Sequence, residues 1–272
     1  MTAPIQMLNL PRQSAETTID DRAVVSPLAD IGPGCRIGPF AVIGDNVVLG
    51  AGCIVHPHGV IEGPTHLGEY NRIHPFACIG GAPQDRRHRD EPTQLIVGRG
   101  NVFREHVTVN RGTVHGGGRT TIGDNNLFMA YSHIAHDCRV GDGVVTANHA
   151  TVAGHTIIED FAVFGGMVAV GTFLRIGESA MLAAGAMVER EVPPFCIVAG
   201  DRAKLRAINR VGLSRRGFTD MEKSEIKCIF KALKTTAQSP SAIVKTLTPR
   251  TETDPGRRML HFLSTVSHGI TR

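Results

Sequence analysis

From Ile19 onward the chain repeats every six residues, and this period limits the possible folds more than any other feature. The hexads read IDDRAV, VSPLAD, IGPGCR, IGPFAV, IGDNVV, LGAGCI, VHPHGV, IEGPTH, LGEYNR, IHPFAC and IGGAPQ, with Ile, Leu or Val at every sixth position from 19 to 79. The pattern returns in VGRGNV, FREHVT and VNRGTV from Val97. It restarts at Ile122 and runs to Val188, with Phe128, Thr146 and Phe164 as variants at the lead position. The fifth place of each hexad forms a second, mostly small column: Ala23, Ala29, Cys35, Ala41, Val47 and Cys53, later Ser132, Cys138, Val144 and Ala150. A period of six fits neither a helix at 3.6 nor a simple strand at 2. It fits three flat faces per turn, each one short strand, so that three hexads close one triangular coil. Equivalent residues then stack at about the 4.8 Å strand spacing. The aliphatic lead residues should fill the axis, the small column the tight interior, and glycines the corners.

Composition agrees with thin, repetitive layers. There is no Trp among the 272 residues, aromatics are 5%, and Gly numbers 31, whereas a conventional globular core leans on aromatic bulk. No apolar run reaches the ~18 residues that a membrane helix needs. Residues 1–18 lack the layout of a signal peptide and read as a flexible leader. The six cysteines show no metal-binding spacing, and three of them, Cys35, Cys53 and Cys138, fall in the small column, which predicts packing. Without an export signal they are expected as reduced thiols in the cytoplasm.

Two interruptions break the hexads. The stretch GAPQDRRHRDEPTQLI lies between Ile79 and Val97, a separation of three whole hexads, so it keeps phase; RGTVHGGGRT (111–120) shifts it. Insertions in a repeat protein usually emerge on the functional face. After VPPFCIVAGDRAK the hexads stop. Thr219-Asp220-Met221-Glu222 predicts a capping box, followed by an apolar stripe at Ile226, Ile229, Phe230 and Leu233 and another at Met259, Phe262, Leu263 and Val266. The expected organisation is a leader over 1–18, an all-β coil over 19–198 and a small helical C-terminal domain over 199–272.

The hexads resemble those of the hexapeptide-repeat acyltransferases, whose coil is a left-handed parallel β-helix. A narrower resemblance rests on QD at 84–85, NRGTVHGGG at 110–118, HIAHDC at 133–138, ANHATVAGH at 147–155, FGGM at 164–167 and RRGF at 215–218. In this order, and with a helical tail, these motifs are similar to those of the UDP-N-acetylglucosamine O-acyltransferases that open lipid A biosynthesis. The similarity covers nearly all the chain after residue 18.

The resemblance implies transfer of a 3-hydroxyacyl group from acyl carrier protein to the 3-hydroxyl of UDP-N-acetylglucosamine. A sugar hydroxyl needs a base, and histidine suits neutral pH. By resemblance His136 is that base, Asp137 its orienting partner, and the Gly154 N–H the oxyanion donor. Gln84, Asp85, Arg87, His133 and His155 match substrate-contact positions, Asn209 a uridine contact, and Arg215 and Arg216 nucleotide or carrier contacts. Ala184 matches the residue that limits acyl-chain length. No metal or organic cofactor is required, and a homotrimer with sites between subunits is implied.

Four departures break the family pattern. Gly171-Thr172 replaces a His-Gln pair, Val211 a glutamate and Arg87 a lysine, while Ala184 adds a methyl at the chain-length position. An acyltransferase on another nucleotide sugar, such as a 3-amino sugar, stays open beside a non-catalytic β-helical binding module. So does a zinc site drawn from His133, His136, His149 and His155, since three histidines can hold zinc. The segment 201–218 holds six basic residues against one acid and suits an acidic carrier or a diphosphate. No nucleic-acid motif accompanies it.

Overall fold

The structure is a computed structural model that describes residues 16–236 and 238–272. Of the expected leader, residues 1–15 lie outside the described residues, and Thr18 already belongs to the first strand, Thr18–Ile19. The chain winds as a left-handed parallel β-helix whose short strands stack in three sheets of 11, 9 and 8. Along the coil each strand hydrogen-bonds to the third strand after it. Ile37 lies beside Val55 and Val55 beside Ile73, so three hexads make one coil. The lead residues point inward: Ile43, Ile61, Leu67, Ile73, Ile79, Phe103, Phe128, Ile134 and Phe164 are each at most 1% exposed. At ~1.5–3 kcal/mol per fully buried side chain, this axial column is the main stabilising term.

The faces meet at three corners, named here by the order of the faces they join. The first corner holds Phe40, His58, Phe76, His106, Tyr131 and His149. Each has a positive φ of 59–63°, where glycines were expected. The six rings stack face to face with centroids 4.6–5.2 Å apart. Stacking on the coils above and below offsets the cost of left-handed backbone in residues that usually avoid it.

The third corner shows a second device invisible in the hexads. Asn71, Asn101 and Asn126 occupy the small column yet are at most 1% exposed. Each side-chain oxygen accepts the backbone N–H one coil on, from Asn101, Asn126 and Val144, at 2.6–2.9 Å. The three amides thereby satisfy backbone groups that would otherwise be buried without partners. The cysteines of this column behave as packing residues. All six cysteines of the chain are free, and burial pushes the Cys138 thiol up to about 12.

Both interruptions leave the coil at the second corner. Val97 does not stack on Ile79, as their spacing suggested; it pairs with Leu67 and Ile122 on the next face. Ile73 pairs with Phe103, five hexads on, so the loop adds two hexads to a coil of three. An insertion of whole hexads keeps the phase while the face changes. The second loop adds one hexad and one position more, since Phe103 pairs with Phe128. That extra position is what shifts the phase.

The coil ends in a hairpin. Cys196–Ala199 joins the first face, and Lys204–Ile208 turns back antiparallel along it, covering the open edge. The basic stretch 201–218 is therefore a strand followed by a short helix, α1 (Arg210–Arg215). Helices α2 (Asp220–Thr235), α3 (Pro240–Leu247) and α4 (Asp254–Ser264) follow. The expected capping box opens α2: the Thr219 hydroxyl accepts from Glu222 N–H, and Glu222 accepts from Thr219 N–H at 2.7 Å. Ile226, Ile229 and Leu233 join Met259, Leu260, Phe262 and Leu263 of α4 in one buried layer, while Val266 falls beyond the helix end. Arg175 ties this layer to the coil by lying 3.7 Å over the Phe262 ring and donating to Phe262 O at 2.7 Å.

Candidate active site at the second corner

The HIAHDC segment supplies one strand, His133–Ile134, and then the second corner. Ile134 and Cys138 anchor the segment inward, leaving His136 on the rim and Asp137 at φ 60° on the bend. The His136 Nδ1 lies 2.8 Å from Asp137 Oδ2. A carboxylate oxygen accepts here, so Nδ1 donates, and in the neutral imidazole Nε2 is the lone-pair nitrogen. Asp137 is 6% exposed, yet well satisfied. Its Oδ1 accepts from Thr113 N–H at 2.8 Å, its Oδ2 from the Thr113 hydroxyl at 2.7 Å, and its own N–H donates to Thr120 Oγ1 at 2.8 Å.

Gly154 sits one coil above His136 in the same column, where His155 N–H donates to His136 O. A Cβ at Gly154 would come within 2.7 Å of the His136 ring, so only glycine admits the imidazole there. Among the described residues the Gly154 N–H has no acceptor. His155 stands edge-on to His136 at 5.2 Å, with its Nε2 3.7 Å from Asp137 Oδ2, and stacks on Phe173 at 4.3 Å. His133 lies on the strand just before the corner, with its Nδ1 2.7 Å from the Thr108 hydroxyl. Burial lowers the pKa of both His133 and His155, with the nearby Asp137 carboxylate opposing the shift at His155, so both favour the neutral form around pH 7.

The first loop leans over this cluster. Arg87 grips Asp85 through Nε and Nη2 at 3.1 and 2.7 Å, and that pairing holds the Asp85 carboxyl well below the usual range. The pair is near enough for Asp85 to sense His136, and for Arg87 to sense Asp137 and His155. Gln84 is exposed on the same loop. The second corner thus gathers His133, His136, Asp137, Gly154, His155, Gln84, Asp85 and Arg87.

The remaining expected contacts lie elsewhere in the same chain. Ala184 is exposed on the first corner, in the coil after Met167. Asn209 is buried and caps α1, accepting from Gly212 N–H at 3.0 Å and donating to Ser179 O at 2.9 Å. Arg216 reaches the third corner, where it pairs with Glu178 at 2.6 Å and lies 3.9 Å over the Phe161 ring. Arg215 is the exposed last residue of α1, and Val211 is exposed on that helix. Thr172 is exposed in the column of His136 and Gly154, and at Gly171 a Cβ would find ordinary space, 3.4 Å from its nearest neighbour.

Two residues that matter here were not singled out in sequence: Thr113 and Thr120. The quoted motif NRGTVHGGG contains the first, but its tie to Asp137 spans 24 residues. Donor atoms of His136, Asp137 and His155 fall within 4.8 Å of one another, as a cation site would need. The three-histidine set for zinc does not assemble, however. His149 stacks on Tyr131 at the first corner, and His133 turns its Nδ1 to Thr108. Asp137 already accepts hydrogen bonds from Thr113 and His136, so the cluster is arranged as a proton network.

Comparison with known proteins identifies the family. A family model described as UDP N-acetylglucosamine O-acyltransferase, domain 2, matches residues 191–271, and one described as bacterial transferase hexapeptide matches 28–63 and 119–154. The acyl-[acyl-carrier-protein]–UDP-N-acetylglucosamine O-acyltransferase of Anaeromyxobacter dehalogenans is 46% identical over 93% of this chain and 99% of its own. The chain belongs to this acyltransferase family. The Herminiimonas arsenicoxydans relative of the same name is 43% identical over the same shares. Among solved structures, LpxA of Acinetobacter baumannii superimposes with a TM-score of 0.91 at 32% identity, covering 93% of this chain and 99% of that one. The UDP-N-acetylglucosamine acyltransferase of Francisella novicida gives 0.90 at 33%, covering 94% of each. The acyltransferase family thus accounts for the hexads and the tail together.

Proposed function

We propose that this chain transfers a 3-hydroxyacyl group from acyl carrier protein to the 3-hydroxyl of UDP-N-acetylglucosamine, the step that opens lipid A biosynthesis, with His136 as general base. The observation that carries the reading is the His136–Asp137 pair, with the imidazole packed against Gly154, whose N–H has no acceptor among the described residues. The His136 Nε2 takes the proton of the sugar hydroxyl as its oxygen attacks the thioester carbonyl carbon. Negative charge gathers on the carbonyl oxygen, where the Gly154 N–H can donate to it. Collapse breaks the carbon–sulfur bond, and the imidazolium returns its proton to the departing carrier thiolate. Asp137 stabilises that imidazolium throughout. The thioester is already activated, so no cofactor enters the scheme.

Ala184, Asn209, Arg215 and Arg216 reach such a site most simply from a neighbouring chain, because within one chain they lie away from the second corner. That separation supports a homotrimer with sites between subunits, near three times 29.1 kDa by light scattering. The carrier, an acidic protein, suits Arg215, Arg216 and the arginines of the first loop. We place the reaction in the cytoplasm, where the six thiols stay reduced. Among the described residues no helix is long and apolar enough to cross a membrane.

Radiolabelled acyl transfer to a panel of UDP-sugars tests the whole reading. Labelled O-acyl product on UDP-N-acetylglucosamine is expected. Preference for a 3-amino sugar, which the space at Gly171 and the loss of a glutamate at Val211 favour, would reassign the acceptor. No transfer to any sugar would leave a binding module.

A further inference from the structure

The second loop, RGTVHGGGRT, has no place in the chemistry above, yet it is wrapped around the Asp137 carboxylate. We infer that Thr113 is a positioning residue that fixes the Asp137 carboxylate, and through it the tautomer and orientation of His136. The inference rests on His136 acting as the base.

Loop contacts hold Asp137 on one side, while His136 and, at 3.7 Å, His155 face it from the coil. Thr113 is 1% exposed, and its backbone N–H and hydroxyl grip both oxygens of Asp137 at 2.8 and 2.7 Å. The same hydroxyl accepts from Gly116 N–H at 3.1 Å, capping the short 3₁₀ turn Val114–Gly116 and so holding its own rotamer. A Cβ at Gly116 would lie 2.1–2.3 Å from the Asp137 carboxyl atoms, so the turn packs directly on the carboxylate. From below, Thr120, fully buried, accepts the Asp137 N–H. The carboxylate is left one short hydrogen bond to accept, from His136 Nδ1–H at 2.8 Å. A carboxylate free to rotate could present that oxygen elsewhere and release the imidazole. Held by Thr113, it favours the Nδ1–H tautomer and keeps Nε2 aimed outward.

The test compares Thr113→Val and Thr113→Ser in the full-length enzyme, each with and without Asp137→Ala. Thr113→Val keeps the shape and the backbone donor but loses the hydroxyl. We expect kcat to fall by about 10- to 100-fold, the scale of a small misplacement of a reacting group, with KM for both substrates within about twofold. Thr113→Ser should restore kcat to near the parent value. In the Asp137→Ala background, Thr113→Val should cost nothing further, because the two residues act as one unit. Additive losses, an effect confined to KM, or a Ser variant as poor as Val would overturn the inference. Thermal melting of each variant separates a collapsed loop from a misaligned base. A fully active His136→Ala enzyme would overturn the base assignment itself. An inactive His136→Ala beside an unaffected Thr113→Val would overturn only the clamp.

Discussion

The first and second corners are built from the same parts and do different things. Both stack rings along the coil in left-handed backbone: Phe40 to His149 on the first, His155 on Phe173 on the second. His58, His106 and His149 of the first corner sit against aromatic rings and, among the described residues, make no carboxylate pair. At the second corner Asp137 takes the bend, the second loop brings Thr113 against it, and the Asp85–Arg87 pair of the first loop lies near enough for Arg87 to sense its charge. A histidine on this scaffold thus acquires a base's setting only where a buried carboxylate fixes one nitrogen. The repeat provides His136 and Asp137, and the second loop provides the Thr113 contacts that hold the carboxylate.

The largest effect should come from exchanging one histidine at each corner. His136→Ala is expected to lower kcat by at least about 10²-fold, the usual scale for losing a general base, while His149→Ala stays within about twofold. Steady-state rates of the two folded variants decide it; equal losses would erase the distinction between the corners.

Next is the acyl chain. Ala184 sits on the first corner, so a role in measuring the donor requires that corner to face a neighbour's second corner. Ala184→Met should move preference toward shorter donors by about tenfold, and Ala184→Gly toward longer ones, in line with the worth of one methylene. Competition between carrier-bound donors of different lengths reads this directly. Identical preferences in all three proteins would confine substrate contact to the second corner.

A smaller change is expected at the third corner. Replacing Arg215 and Arg216 with Ala should raise KM for carrier or nucleotide by about fivefold, near the upper end for partly exposed ion pairs, and the penalty should shrink at high salt. Glu178→Gln, which releases Arg216 from its 2.6 Å partner, should leave kcat unchanged. Unmoved KM values would make the basic segment a support for the tail.

Smallest is the response to acid. Burial is the first cause of the lowered pKa at His56, His74, His133 and His155, which therefore lie below the ordinary 6.5 when folded. Above about pH 7.5 both states are neutral and these groups contribute nothing to pH dependence. As pH falls through 6.5 the unfolded chain takes up protons first, so stability declines toward the folded values. The melting temperature should be flat from pH 8.5 to 7.5 and drop by pH 5.5, about 2–4 °C for each kcal/mol lost. A flat profile down to pH 5.5 would show that these imidazoles stay solvated.

The coil was legible in the hexads because one constraint, a narrow prism with an aliphatic axis, acts identically on every turn. The capping box of α2 and the His136–Asp137 pair were legible for a similar reason: their partners are neighbours in the chain. By contrast, the face on which Val97 lands was hidden, because a loop of two whole hexads leaves the phase intact. The buried asparagines were hidden too, since an amide matches this column only once the N–H groups of the next coil are in place. Thr113 is the same case at the site: a threonine in a Gly-rich loop acquires its role only by meeting a carboxylate 24 residues away. The sequence by itself thus determined the architecture and the adjacency of His136 and Asp137, because periodic burial and neighbouring side chains need no knowledge of distant segments. Only the tertiary structure decided which corner carries which residues and what holds Asp137, because loop length and packing between coils set those contacts.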